Sequence, residues 1–380
     1  MKKNLLILSL FTSIIAAAQT GIEIDDSITS GGVTRTYRLY IPLIYNPATA
    51  VPLIMNFHGL GTTSALQESY GDFRKIADTA NFIIVHPQGL VQAGINLTGW
   101  NNFFGPSQSL PDINFTSALI DTIKAHYNIK MSRIYSTGFS NGGFMSYVLA
   151  CQLSGRFAAI ASVSGSVVPA HLNACNTLHP MPIMEIHGTS DSIVEYDGTG
   201  GLVTCTKIDS LIKHWVVFNH CNPTPTTIDS LANISTIDSC RAVHYIYNGG
   251  DAPVEFYKII GGGHSWPGAT TTLGSVSQVG FTNQDFKANK EIWRFFSEQK
   301  SFVGINEQTV IKADFNIYPN PSNGLFTVSI PNTNSGNLSI CVVDILGKEV
   351  FRLSDKNSSS EYRKQIDLQH IFQQEYIVLN

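Results

Sequence analysis

The chain has 380 residues, 43% of them hydrophobic and 14% charged, with a formal net charge of −4. That hydrophobic fraction excludes an unfolded chain, and no apolar run of membrane-spanning length follows the first twenty residues. The slightly acidic balance, without a run of Lys or Arg, excludes a nucleic-acid binder, and the charge content lies well below the usual value of about 25%.

The chain opens with Lys2 and Lys3, the apolar run Leu5–Ile15 and the small residues Ala16, Ala17 and Ala18. This is the pattern of a secretory signal peptide over residues 1–18, too short an apolar run to span a bilayer. From Val33 to Phe296 short apolar runs alternate with helical patterns. Val51–Phe57, Phe82–His86, Arg133–Thr137, Ala158–Ser164, Pro182–His187 and Val254–Ile259 are expected strands, most of them rich in Val, Ile and Phe. Phe115, Leu119, Ile123 and Tyr127 recur every four positions and predict one buried helix face. Strands alternating with helices imply an α/β fold with a mostly parallel central sheet over residues 22–300.

The pattern changes after Ser301. Residues 301–312 are expected to be a linker and 313–380 a small all-β sandwich module. There Phe326, Val328 and Ile330 alternate with Thr327 and Ser329, and Leu338–Val343 and Lys348–Leu353 are further strands.

An oxidising compartment makes disulfides the default for the six cysteines, whose spacings match no zinc pattern. Cys221 and Cys240 bracket a polar, loop-like stretch and are expected to pair, closing a loop worth about 3 kcal/mol. Cys151 with Cys175 is the second candidate, and spacing alone leaves connectivity open.

The chemistry concentrates in the segment Gly138-Phe139-Ser140-Asn141-Gly142-Gly143, which follows an expected strand and precedes a helical stretch, Phe144–Leu153. G-x-S-x-G between strand and helix is a nucleophile turn. It places the Ser140 hydroxyl at a helix N-terminus, where the Asn141 N–H can meet a developing oxyanion. Serine needs a base held by a carboxylate, in the chain order Ser, acid, His for an α/β-hydrolase. Asp191 follows the strand ending at His187, with Asp197 in reserve and Glu195 third. His264 follows the strand Val254–Ile259 through Gly261, Gly262 and Gly263. His171, His179, His187, His214, His220 and His244 are rivals for the base; His187 lies inside a strand and suits a core or supporting position. The loop after Val51–Phe57, His58-Gly59-Leu60-Gly61, offers the Leu60 N–H as second oxyanion donor, with His58 orienting the loop. Trp100 and Trp266 are candidates for binding substrate, each with the alternative of a packed anchor. The set requires no metal or cofactor.

Phe57-His58-Gly59, His86-Pro87-Gln88-Gly89, Trp100, Pro111-Asp112-Ile113, Gly138–Gly143, Ile186–Asp191 and Gly262–Gly268 together carry a resemblance. From Tyr37 to about Phe296 the chain resembles secreted α/β-hydrolase esterases related to polyhydroxybutyrate depolymerases, including feruloyl and acetylxylan esterases. The resemblance implies a serine carboxylic ester hydrolase using Ser140, Asp191 and His264 on a polymer-linked or polyester substrate. It also implies a Cys221–Cys240 disulfide. Glu195 stands where such esterases usually carry proline. Ile317–Gly324 and Val343–Val350 resemble the sorting domain of the type IX (Por) secretion system, which implies export to the medium or cell surface, with the secretion machinery as partner. That family continues beyond the motif seen here as Glu375–Leu379 with a further strand and basic residues, so the expected domain is a shortened one. A serine peptidase of the same fold and a non-catalytic surface binding protein are the competing readings, and the chain is expected to be a monomer.

Overall fold

The computed structural model describes residues 21–103, 106–199, 203–271, 274–300, 315–331, 336–343, 349–357 and 361–369. The expected signal peptide, the linker at 301–312 and the Glu375–Leu379 motif lie outside them. The chain divides into two compact units, Met1–Val303 and Gly304–Asn380.

The first unit contains strands β1 (Ile22–Ser30), β2 (Val33–Ile41), β3 (Val51–Phe57), β4 (Ile83–Pro87), β5 (Leu90–Gln92), β6 (Leu97–Gly99), β7 (Ile129–Phe139), β8 (Ala159–Val163), β9 (Ile183–Gly188), β10 (Thr227–Ser230), β11 (Arg241–Tyr247) and β12 (Val254–Ile260). Its helices are α1 (Ser64–Tyr70), α2 (Arg74–Ala80), α3 (Pro106–His126), α4 (Asn141–Gln152), α5 (Pro169–Asn173), α6 (Ile208–Phe218), α7 (Val276–Val279) and α8 (Ala288–Glu298). Ten strands form one sheet in the order β1-β2-β4-β3-β7-β8-β9-β12-β11-β10. From β4 to β12 every neighbouring pair is parallel, and the pairs outside that block are antiparallel. This is the α/β-hydrolase architecture expected from the sequence.

The six expected strands form the parallel block because each is covered on both faces. On β3, Leu53, Met55 and Phe57 enter a core with α3, α4 and α6, while Ile54 enters the opposite core with α2 and α8. Two strands at each sheet edge were not expected from the sequence. β1 and β10 are mostly exposed and polar, so they carry no apolar run to reveal them. Helix α3 starts before the expected Phe115 and runs through Pro111. Asp112 fixes this early turn: its carboxylate accepts from the Arg35 guanidinium and from the Asn101 N–H, each at 2.8 Å.

The disulfide expectation is corrected by the fold. Cys151, near the end of α4, bonds Cys175, just after α5, with Cα atoms 4.6 Å apart. Cys221 and Cys240 are unbridged, buried thiols. Cys221 lies beside Gly250 and donates to the Ala252 carbonyl, ahead of β12; Cys240 lies beside Gly261, beyond the far end of β12. The strand between them is about 20 Å long, whereas a disulfide needs Cα atoms within about 7 Å.

Among the described residues of the second unit the regular elements are antiparallel strands: β13 (Asn316–Tyr318), β14 (Leu325–Pro331), β15 (Gly336–Val343), β16 (Glu349–Asn357) and β17 (Glu361–Asp367). They form the sheets β13-β14-β17 and β15-β16. Phe326 and Val328 from β14, Ile366 from β17 and Val342 from β15 share one apolar core, so both sheets bury a face against each other.

Candidate active site

The site lies where β7, β9 and β12 end. β7 turns directly into α4 at Ser140, whose backbone sits at φ 55° and ψ −120°. A non-glycine residue held there carries strain of about 1–3 kcal/mol. The turn is held by the Ser140 N–H bonded to the Val163 carbonyl at 2.8 Å and the Phe144 N–H to the Ser140 carbonyl at 3.0 Å. It closes because two neighbours lack side chains. A Cβ at Gly142 would lie 2.0 Å from the Phe57 carbonyl oxygen, and one at Gly138 would lie 2.5 Å from Gly142. Ser140 thereby caps α4 with its hydroxyl at the positive end of the helix.

Asp191 follows β9. Its Oδ1 accepts from the Ile193 and Val194 N–H groups, both at 2.9 Å, and its Oδ2 accepts from His264 Nδ1 at 2.8 Å. Burial pushes this carboxyl up, but the charge and hydrogen bond of His264, then His187 and the backbone, outweigh it and hold it below the usual range. Because Nδ1–H points at Asp191, Nε2 of neutral His264 carries the lone pair a base needs. The loop after β12 is fixed from outside: His264 N–H bonds the Val279 carbonyl at 2.5 Å and Gly263 N–H the Phe281 carbonyl at 2.9 Å. The His264 ring lies 4.8 Å from that of Phe139, the residue before Ser140. Ser140, Asp191 and His264 are all at most 9% exposed.

The oxyanion side is built from uncharged groups. The Gly59 carbonyl accepts from His58 Nδ1–H and from the Thr62 hydroxyl, each at 2.8 Å. A trans peptide sends its N–H opposite to its C=O, so these donors turn the Leu60 N–H away from themselves. Gly59 itself sits against Ser140, since a Cβ there would be 3.4 Å from the serine Cβ. His58 Nε2 accepts from the Gly89 N–H at 2.9 Å. Burial pulls the His58 pKa down to about 4, its bond to Gly59 opposing, so the ring is neutral at pH 7. The other candidate donor, the Asn141 N–H, belongs to the first turn of α4, where N–H groups have no partner within the helix.

Trp100 is corrected from a substrate contact to a packed anchor. It is 1% exposed, its Nε1–H bonds the His58 carbonyl at 2.9 Å, and its backbone N–H bonds Asn141 Oδ1 at 2.7 Å. It ties the oxyanion loop to the start of α4. Asn102 completes the tie, exchanging bonds of 2.7 and 2.8 Å with Asn141; an Asn in a loop gives no signal of this. Trp266 is buried against Tyr70 and Phe73, and with His264, Phe139 and Tyr70 it lines a small cavity. Asp197 is exposed and paired with Lys207, outside the site. Of the rival histidines, His244 pairs with Glu255 and His220 with Asp251, while His187 lies beside Asp191. Among the described residues no group of three or more His, Cys, Asp or Glu side chains could hold a metal ion, and no helix is long and apolar enough to cross a membrane.

Residues 43–200 match the family model for phospholipases and carboxylesterases, and residues 316–378 match the secretion system C-terminal sorting domain. A bifunctional acetylxylan esterase/xylanase of Neocallimastix patriciarum is 29% identical over 64% of this chain and 32% of its own length. Feruloyl esterase B of Piromyces equi is 28% identical over 57% and 40%. The chain thus spans less than half the length of these two relatives. A probable feruloyl esterase C of Aspergillus niger is 30% identical over 51% of this chain and 70% of its own. The solved acetyl xylan esterase of Aspergillus awamori shares the fold, with a TM-score of 0.52 at 13% identity over 73% of this chain and 99% of that one.

Proposed function

The chain belongs to the α/β-hydrolase family of carboxylic ester hydrolases that includes the feruloyl esterases, and from that membership we propose that it is a serine esterase working through an acyl-enzyme. The observation that carries the reading is the 2.8 Å bond from His264 Nδ1–H to Asp191, two loops away from a serine held on a strained turn. Ser140 Oγ attacks the ester carbonyl while His264 Nε2 takes its proton. Asp191 stabilises the imidazolium, and the Leu60 and Asn141 N–H groups receive the oxyanion. His264 then protonates the departing alkoxide, and water activated by the same imidazole releases the acid and regenerates Ser140.

The substrate proposed is a polymer-linked ester or a polyester, of the feruloyl, acetylxylan or polyhydroxybutyrate type. The printed names of the relatives support the first two, and the low charge of the chain suits a large neutral substrate. The candidate signal peptide and the sorting domain support export through the type IX system. Hydrolysis of p-nitrophenyl acetate is expected to disappear in Ser140→Ala, and activity that survives that change overturns the mechanism. A panel of methyl ferulate, acetylated xylan, polyhydroxybutyrate film and an aromatic polyester then ranks the substrates, and activity confined to soluble small esters contradicts the polymer assignment.

A further inference from the structure

Behind Asp191 lies a polar chain that the ester mechanism does not use. Tyr147 on α4 donates its hydroxyl to Glu185 Oε2 at 2.9 Å, and Glu185 Oε1 lies 3.1 Å from His187 Nδ1. His187 Nε2 lies 2.9 Å from the Val194 carbonyl and 3.5 Å from Asp191 Oδ2, the same oxygen that holds His264. Tyr147, Glu185 and His187 are fully buried. A buried Glu–His pair is costly unless it has a task or complete partners, and this one ends on the acid of the active site.

We propose that His187 is a positioning residue for the esterase reaction: with Glu185 behind it, it presents N–H and positive charge to Asp191 and thereby sets the basicity of His264. The proposal rests on the serine esterase reading given above. The bonding fixes the first half of the charge assignment. Val194 offers only a carbonyl, so His187 Nε2 carries a proton, and the remaining proton is shared between Nδ1 and Glu185 Oε1. Burial disfavours the His187 cation, but Glu185 and Asp191 outweigh it and raise its affinity for the proton. Burial raises Glu185 as well, opposed by His187 and Tyr147. The pair is therefore neutral as a whole, with its positive end toward Asp191.

Other groups facing His187 do not supply that charge. Tyr196 presents only its ring, 6.1 Å away. Lys258, the register neighbour on β12, places its Nζ over the Tyr196 ring at 4.8 Å. The Cys205 thiol is raised by burial and stays neutral.

The sign follows directly. Asp191 stabilises the imidazolium that His264 becomes on taking the serine proton, and positive charge beside Asp191 offsets that stabilisation. Removing the positive end strengthens the hold of Asp191 on that imidazolium and moves the acidic limb of the pH–rate profile upward, by roughly one pH unit for a charge at this range.

The test compares full-length parent, His187→Gln, Glu185→Gln and Tyr147→Phe, using the pH dependence of kcat/KM on p-nitrophenyl acetate and an NMR titration of His264. In His187→Gln and Glu185→Gln both midpoints are expected to rise by about one unit, with a smaller rise in Tyr147→Phe. Folded variants whose midpoints stay put, or fall, overturn the proposal. If the two polar variants fail to fold, Tyr147→Phe decides it, an unmoved midpoint counting against. The NMR titration reads His264 even if the parent hydrolyses no ester. A loss of the esterase reading is therefore distinguishable from a loss of this one.

Discussion

Two buried histidines support the candidate site, His58 beside the expected oxyanion loop and His187 beside Asp191, and burial acts against different partners at each. His58 is met by one carbonyl and by N–H groups from Gly89 and Gln88, with no carboxylate in its bonding. Burial therefore decides its state, and it is a neutral fixed strut. His187 lies between Glu185 and Asp191, and two carboxylates reverse the effect of burial. Both rings are buried, so the partners are what separate them. The side proposed to receive negative charge is built from neutral dipoles, and the side proposed to store a proton from coupled ionisable groups.

The largest expected effect breaks the ionisable side outright. Asp191→Asn leaves the loop bonds nearly intact but removes the charge that fixes the His264 tautomer, and kcat should fall by about 10⁴-fold. Steady-state kinetics that show less than about a tenfold loss would place the catalytic acid elsewhere. The next effect separates the two histidines by their linkage to folding. His58 takes up its proton near pH 4 in the fold and near 6.5 in the unfolded chain. The unfolded state therefore binds more protons between those values, and stability falls as pH falls from 6.5 to 4, by up to about 3 kcal/mol from this group. Denaturant melts across that range should be flatter in His58→Gln than in the parent, and equal slopes would contradict a neutral His58. The smallest effect probes the neutral side alone. Trp100→Phe keeps an aromatic ring but leaves a small void and deletes the bond to the His58 carbonyl, which should cost about 1–2 kcal/mol of stability and a few-fold in kcat. The acidic limb should not move in that variant, because no charge has changed.

How legible each part was in the sequence follows from its chemistry. The parallel strands were readable because burial on both faces demands unbroken apolar runs, as in Val51–Phe57. The edge strands β1 and β10 were not, because an exposed edge permits polar residues throughout. The candidate nucleophile, acid and base each follow a strand through a glycine-bearing turn. Such turns are visible because contacts such as that of Gly142 with Phe57 tolerate no side chain. The supports were hidden. Asn102 and Gln88 act through hydrogen bonds that join segments far apart in the chain, and no local pattern announces them. Trp100 is a candidate substrate contact from the sequence, yet only the fold shows its Nε1–H already committed to His58. The cysteine expectation failed for the same reason: a polar loop suggested a short closure, whereas β10, which lies between the two cysteines, carries the segment's ends to opposite ends of β12.

If Ser140 is a nucleophile activated by His264, it is open to covalent labelling. Incubation of the full-length protein with diethyl p-nitrophenyl phosphate, followed by peptide mass mapping, reads this out. One diethylphosphoryl group is expected, located on Ser140, absent in Ser140→Ala and formed far more slowly in His264→Ala. Labelling of a different residue, or equal labelling of Ser140 in the absence of His264, would contradict it.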